Sequence, residues 1–329
     1  MKTLIKRLAL LAILFALVSA GGLAWYGNQP LRYEPLPKTI NVPPGTHLRS
    51  LSVILEKEGV IGNAQVFWLL GRVQGRGGTL KAGVYALDKP LTPLELLAKI
   101  ERGEISQAIV RFIEGWNWRE IRTVLAAQPL LINESAGMSN AELLRAIGAE
   151  EKHLEGLLFP DTYFYAPHTS DIKVLRRAYQ LQHEKLMAAW EKRAPGLPYR
   201  TPYEALIMAS IVEKETGAAF ERPQIAGVFL NRIRLGMRLQ TDPTVIYGLG
   251  ERFDGNLRRV DLQTDTPYNT YTRAGLPPTP IAMPSEAAIQ AALNPAKTAA
   301  LYFVSRGDGT HVFSSNLEAH NQAVNRHQR

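Results

Sequence analysis

The chain has 329 residues, 46% of them apolar and 21% charged, which suits two packed regions and belongs to a folded protein, not a disordered one. It has no cysteine, which excludes a disulfide framework, thiol chemistry and cysteine-ligated zinc. The formal net charge of +8 favours anionic surroundings, yet the basic residues are dispersed and no nucleic-acid fingerprint occurs, so nucleic acid is not an expected partner.

Lys2, Lys6 and Arg7 precede an uncharged run from Leu8 to Pro30, within which Leu8 to Tyr26 is nearly long enough to cross a bilayer. Residues 1–7 are expected to stay cytoplasmic, residues 8–26 to span the membrane, and Trp25 with Tyr26 to sit at the far interface. A cleaved signal peptide is the competing reading, because Val18-Ser19-Ala20 resembles a small-residue cleavage site. The apolar stretch continues past Ala20 to the aromatic pair, which favours an uncleaved anchor. Either reading carries the rest of the chain across the membrane.

Residues 27–38, with "QPLRYEPLPK", read as a proline-rich extended stalk. Residues 39–88 then predict a short strand, a Pro-Gly turn, two helices and a strand, a β-α-α-β order of the size of a small binding module. From residue 89 a larger region follows. "PLTPLELLAKIERG" is a helix with Thr92 and Pro93 at its start and Gly103 after its end. "QAIVRFIEG" is a strand, "NWREIRTVLAA" a helix, and the polar stretch beyond it gives way to "LEGLLFPDTYFYAP". A long basic helix from Ser170 ends at "PGLP", which suggests a boundary around Pro195 to Pro198. The fold class is α+β.

"TPYEALIMASIVEKETG" is a helix that is apolar on almost every side, with a capping-box spacing at Thr201 and Glu204, Pro202 in its first turn and Gly217 as its stop. It finishes on Glu213 and Glu215, roughly 200° apart around the axis. Glu215 falls below Met208, Ile211 and Val212. An apolar stripe and the negative end of a helix both raise a carboxyl pKa, and an acid protonated near neutrality suits glycosidic-bond cleavage. The competing reading is a pair of frayed glutamates, solvated or paired with Lys214 and Arg222.

Downstream, a second helix stops near Gly236, and Asp242 in "QTDPT" reads as an N-cap before Pro243. Tyr268, Asn269, Thr270 and Tyr271 then crowd together before a run of prolines. Aromatic faces beside amides and hydroxyls suit a sugar polymer, although a rigid surface loop explains the same composition. A hairpin, "LYFVSRGDGTHVFS", and a polar helix carrying His320 close the chain. No His pattern for metal, Gly-rich phosphate loop or nucleophile elbow is present, so no cofactor or metal is expected.

The stretches "EGLLFPDTY", "ASIVEKET", "VFLNRIRLGMRLQTDPTVIYGLGERF", "YNTYTRAGLPP" and "NPAKTAALYFV" resemble the endolytic murein transglycosylases of the MltG/YceG-like family. The resemblance extends over most of the chain. It implies a single-pass inner-membrane protein with a cytoplasmic N-terminus and a periplasmic body, a LysM-like module at residues 39–88 and a catalytic domain at 89–329. It implies that Glu215, the second glutamate of "EKE", is the catalytic acid and base of a lytic cleavage between N-acetylmuramic acid and N-acetylglucosamine. Around it Gln240, Asp242, Tyr268, Asn269, Thr270 and Tyr271 are expected to bind substrate, whereas Glu213 is expected to hold the motif through local hydrogen bonds and Asp161 to be structural. The implied partners are peptidoglycan strands, the inner membrane and peptidoglycan synthases. Two other readings stay open: a muramidase-type hydrolase with Asp242 activating water, and an enzymatically silent peptidoglycan-binding scaffold.

Overall fold

The alternation of apolar and polar residues in "KTINV" and "GVYAL" makes two strands, β1 (Lys38–Val42) and β2 (Gly83–Leu87), which pair antiparallel with Ile40 opposite Tyr85. Between them lie helices α2 (Leu48–Lys57) and α3 (Ala64–Val73), the second begun by Asn63, whose side chain accepts from the N–H groups of Gln65 and Val66. This computed structural model describes residues 2–328, and here the expected β-α-α-β order is observed. Met1 and Arg329, the ends of the expected cytoplasmic segment and catalytic domain, lie outside the described residues, as does the side chain of Lys2. The long apolar helix α1 (Lys2–Asn28) precedes the strands, and its residues Lys6–Asn28 are long and apolar enough to cross a membrane.

The first compact unit runs to Ala108, well past the expected edge at Asp88. It takes in α4 (Pro93–Arg102), capped by Thr92 with a full capping box and closed by Gly103 at φ 71°. Leu96, Leu97 and Ile100 on one face of α4 share a core with Ile40, Leu51, Leu55, Phe67 and Leu87, so this helix completes the small unit and does not open the next one. Residues 27–38 are also not a free stalk. Leu31 and Tyr33 are buried in that same core, the Leu31 N–H donates to the Leu91 carbonyl (2.9 Å), and the Tyr33 hydroxyl donates to the Lys89 carbonyl (2.6 Å). Proline richness kept this segment extended, but its two large apolar side chains bind it down.

The second unit begins at Ile109, one residue into its first strand. In chain order it contains β3 (Ala108–Arg111), α5 (Trp118–Ala126), β4 (Leu131–Ile132), α6 (Asn140–Ile147), β5 (Thr162–Tyr165), β6 (Thr169–Ser170), α7 (Asp171–Glu191), α8 (Pro202–Glu215), α9 (Arg222–Arg234), α10 (Asp242–Leu249), α11 (Arg259–Gln263), α12 (Glu286–Leu293), β7 (Tyr302–Ser305), β8 (His311–Ser314) and α13 (Leu317–His327). Among the described residues its strands form two-stranded ribbons, β3 with β5, β4 with β6, and the antiparallel hairpin of β7 with β8.

Helix α8 is the axis of this unit. Every residue from Ala205 to Val212 is buried, as its all-round apolar sequence requires, and it packs against α7, α9, α10 and α12. Helix α9 approaches the chain after α12 so closely that a Cβ at Gly227 would lie 2.6 Å from the Ala296 carbonyl oxygen. The prolines at 195 and 198 therefore mark a turn between packed helices, not a domain boundary. Tyr199 is buried there, and its hydroxyl donates to the Ala292 carbonyl (3.2 Å).

Candidate active site

Helix α8 ends on Glu215 itself. Thr216 turns the backbone to the extended region (φ −141°), so the stop is this residue and not Gly217. At the other end Thr201 accepts the Glu204 N–H (3.3 Å), but the Glu204 carboxylate turns to the Arg200 N–H (2.7 Å), leaving the capping box half made.

The two glutamates point to different partners, as their angular separation requires. Glu213 accepts from the backbone N–H of Ser285 (3.0 Å), from the Ser285 hydroxyl and from Arg222 Nη2 (3.4 Å). Ser285 is also the N-cap of α12, so Glu213 fastens α8 to a helix that starts more than seventy residues later. The bonds to Ser285 are long-range in sequence, which corrects the expectation of local ones, whereas Arg222, only nine residues away, makes the pairing the competing reading expected. Lys214 leans away, its ammonium donating to the Gly115 carbonyl (3.1 Å).

Glu215 is half-buried, and its Oε2 accepts a 2.6 Å hydrogen bond from the Thr241 hydroxyl. Removal from solvent pushes its pKa up to about 7. The Thr241 bond opposes that rise, the neighbouring Asp242 charge adds to it, and the positive fields of His311 and Arg232 oppose it. A carboxyl in this state divides its population between acid and base near neutrality, which is what a single proton-transfer group needs.

Thr241 is buried and is itself the residue before α10, which displaces Asp242 from the expected N-cap position to the first helical one. Its N–H donates to Thr270 Oγ1 (3.1 Å), its carbonyl accepts from Thr244 Oγ1 (2.8 Å), and the Thr244 and Thr270 hydroxyls lie 2.9 Å apart. Gln240 adopts φ 51°, a left-handed conformation costly for a residue with a Cβ, and its N–H donates to the Thr270 carbonyl (3.1 Å). Arg232 holds this turn from below. It is buried, its Nη1 donates to the carbonyl of Leu239 (2.8 Å) and to Gln240 Oε1 (3.3 Å), and its guanidinium stacks over Tyr302.

The six residues expected around the acid are thus gathered in one region but do different things. Asp242 and Gln240 are exposed, and Asp242 Oδ1 accepts from the Tyr271 hydroxyl (2.5 Å). Tyr268 is half-buried, with its hydroxyl 2.9 Å from Thr279 Oγ1. Thr270 is buried in the threonine cluster. Asn269 has no exposed surface, and its amide donates to the carbonyls of Asp261, Leu262 and Thr264, so it shapes the loop that presents the two tyrosines. Asp161 lies apart, accepting its neighbour's N–H, while its carbonyl accepts from Phe112.

Sequence reasoning passed over Glu155, which is buried with its carboxylate accepting the Trp118 N–H (3.1 Å) and the Tyr247 hydroxyl (3.0 Å). Burial raises it to about 7 against the pull of those two hydrogen bonds. Glu155, Trp118, Tyr247 and Tyr268 line a cavity of about 790 Å³, which Lys214 and Pro243 reach from the acid's side although Glu215 is not in its wall. Glu155 stands inside the motif "EGLLFPDTY", yet nothing in its spacing marks a buried carboxylate. His311 was missed for the same reason: it bonds Glu221 through Nδ1 (2.7 Å) only because β8 folds back onto the start of α9. No group of three or more His, Asp or Glu side chains among the described residues is arranged to hold a metal ion.

A family model described as the YceG-like family matches residues 40–326. A protein of Bacillus subtilis named endolytic murein transglycosylase is 32% identical, with 92% of this chain and 89% of that protein aligned. Two proteins of the same name from Streptococcus pneumoniae are 28% and 29% identical over 96% of this chain, which spans 64% of each. A solved structure of a YceG-like protein from Listeria monocytogenes is 31% identical and superimposes with a TM-score of 0.55, covering 88% of this chain and 99% of that one.

Proposed function

The chain belongs to the YceG-like family, and from that premise we propose that it is an endolytic murein transglycosylase anchored in the inner membrane by α1. Its substrate is the glycan of peptidoglycan, cut within the strand. The observation that carries this reading is Glu215, a carboxyl held near pH 7 at the end of a buried helix and bonded to a single hydroxyl.

Glu215 in its acid form protonates the oxygen joining N-acetylmuramic acid to N-acetylglucosamine, and the C1–O bond breaks to an oxocarbenium-like state. The resulting carboxylate takes the proton from the muramyl C6 hydroxyl as O6 closes on C1. The products are a free 4-hydroxyl on N-acetylglucosamine and a 1,6-anhydromuramyl end, with no water consumed. One carboxyl serves both steps, whereas hydrolases of glycosides generally use two. Thr241 stabilises the carboxylate between the steps, and Arg232 keeps the Gln240–Thr241 turn in place. Gln240, Asp242, Tyr268 and Tyr271 orient and stack on sugar rings, while Asn269 and Thr270 act from beneath.

The β1-α2-α3-β2 arrangement supports a LysM-like glycan-binding role for the first unit. With α1 in the bilayer, N-terminus in the cytoplasm and body in the periplasm, the segment after it is bound to the first unit through Leu31 and Tyr33 and adds little reach. That short tether supports cleavage of growing strands close to the membrane, beside the synthases that extend them.

Mass spectrometry of purified murein treated with the full-length protein in detergent, beside Glu215→Gln, tests the assignment. Anhydro-muropeptides from wild type and none from the variant are expected. Reducing-end products instead would make the protein a hydrolase, and cleavage unaffected by the substitution would remove Glu215 from the chemistry.

A further inference from the structure

The charge on the wall of the 790 Å³ cavity is lopsided. Arg119, Arg122 and Lys214 face it, and Glu155 is its one carboxylate. Burial raises that carboxyl to about 7, so it is partly ionised near neutral pH, and the three cations outnumber it in either state. Arg119 has a partner in Glu251 at 3.5 Å, on the exposed rim. Arg122 makes no ion pair or side-chain hydrogen bond among the described residues, and Lys214, with one hydrogen on the Gly115 carbonyl, keeps two for a ligand.

The rest of the wall is aromatic and amide. Trp118, Tyr247, Phe253 and Tyr268 provide flat apolar faces, and Asn117 and Asn140 lie among them. A smaller hollow of about 100 Å³ shares Trp118, Glu155, Tyr247 and Tyr268. The Trp118 indole N–H is buried without a partner among the described residues, a donor left for an acceptor that the protein does not supply. The volume is that of an ordinary ligand pocket.

A glycan backbone is neutral and does not call for two free cations. The charge of murein resides in the peptide stems, whose side-chain and terminal carboxylates hang from the lactyl group of each muramyl residue. Lys214 immediately precedes Glu215, and Pro243, Ile246 and Tyr247 belong to the helix that begins beside Thr241, so the cavity adjoins the acid through both elements that place it. Consecutive Cα atoms are about 3.8 Å apart, within the span of one sugar and its lactyl arm.

We propose that this cavity is a peptide-stem site: it takes the acidic stem of the muramyl residue next to the cleaved bond, with Arg122 and Lys214 receiving carboxylates and Trp118 and Tyr247 packing the chain between them. The inference rests on the chain being a murein transglycosylase. It makes the enzyme selective for strands that still carry stems.

The test compares murein strands bearing stems with the same strands stripped by an amidase, using full-length protein in detergent and following release of anhydromuramyl ends. Stripped strands are expected to show roughly tenfold lower kcat/KM, carried by KM, as suits the loss of one or two charge-assisted bonds. In Arg122→Gln the ratio between the two substrates is expected to shrink several-fold, a change that general damage to the fold would not produce. Equal kcat/KM on both substrates, a preference for stripped strands, or an unchanged ratio in the variant would overturn the stem site and leave the lytic activity standing. Failure to cleave either substrate would overturn the function and this inference with it.

Discussion

Thr241→Val removes one hydroxyl from beside Glu215 and almost nothing else. Thr241 is buried, valine has nearly its shape, and the backbone bonds that Thr241 makes to Thr270 and Thr244 do not involve its hydroxyl. The lost bond, 2.6 Å long, stabilises the ionised carboxylate and so lowers the Glu215 pKa. A hydrogen bond to a charged group contributes roughly 1.5–3 kcal/mol, part of which the protonated acid retains by donating to the same hydroxyl. A net loss of about 1.4 kcal/mol raises the pKa by about one. In the proposed mechanism cleavage begins with Glu215 protonated, so kcat/KM is expected to fall as pH rises through that pKa. The basic limb, expected near 7 in the wild type, should move to about 8 in Thr241→Val. The assay is the pH dependence of kcat/KM for anhydro-muropeptide release, which reports the free enzyme. A limb that stays in place, or moves to lower pH, would refute the role given to both residues.

Glu155→Gln should change the pH dependence of stability. A carboxyl raised from 4.5 to about 7 by folding contributes its stability fully below pH 4.5 and loses it as pH rises through 7. The loss is about 3 kcal/mol, so the melting temperature of the wild type should fall from pH 5 to pH 8 more steeply than that of the variant. Parallel curves would show that Glu155 is not the group responsible. Glu213→Gln should destabilise by roughly 3 kcal/mol at neutral pH, because it leaves Arg222 without its counter-charge and weakens the hold on the start of α12. A thermal shift within error of zero would mean that the pair adds nothing to the docking of α8 on α12.

Local chemistry was legible wherever neighbouring residues decide the outcome. Thr92, Pro93 and Gly103 bound α4 because a cap needs only a hydroxyl, a fixed φ and a residue free to turn left-handed. The unbroken apolar run of α8 announced a buried helix, and the angle between Glu213 and Glu215 separated their roles before any partner was visible. The long motifs carried the family and, through it, Glu215. What the sequence could not contain is the identity of partners brought from far along the chain. Leu31 and Tyr33 look like part of a stalk until a core closes over them, and α4 looks like the start of the next domain until Leu96, Leu97 and Ile100 fill the first. Asn269 looks like a sugar ligand until its amide is seen spent on three loop carbonyls. Glu155 is one glutamate among many until Trp118, thirty-seven residues earlier, and Tyr247, ninety-two later, close around it. Caps and periodicity depend on backbone geometry over a few residues, whereas desolvation depends on everything packed within a few ångströms, and only the tertiary structure decides that.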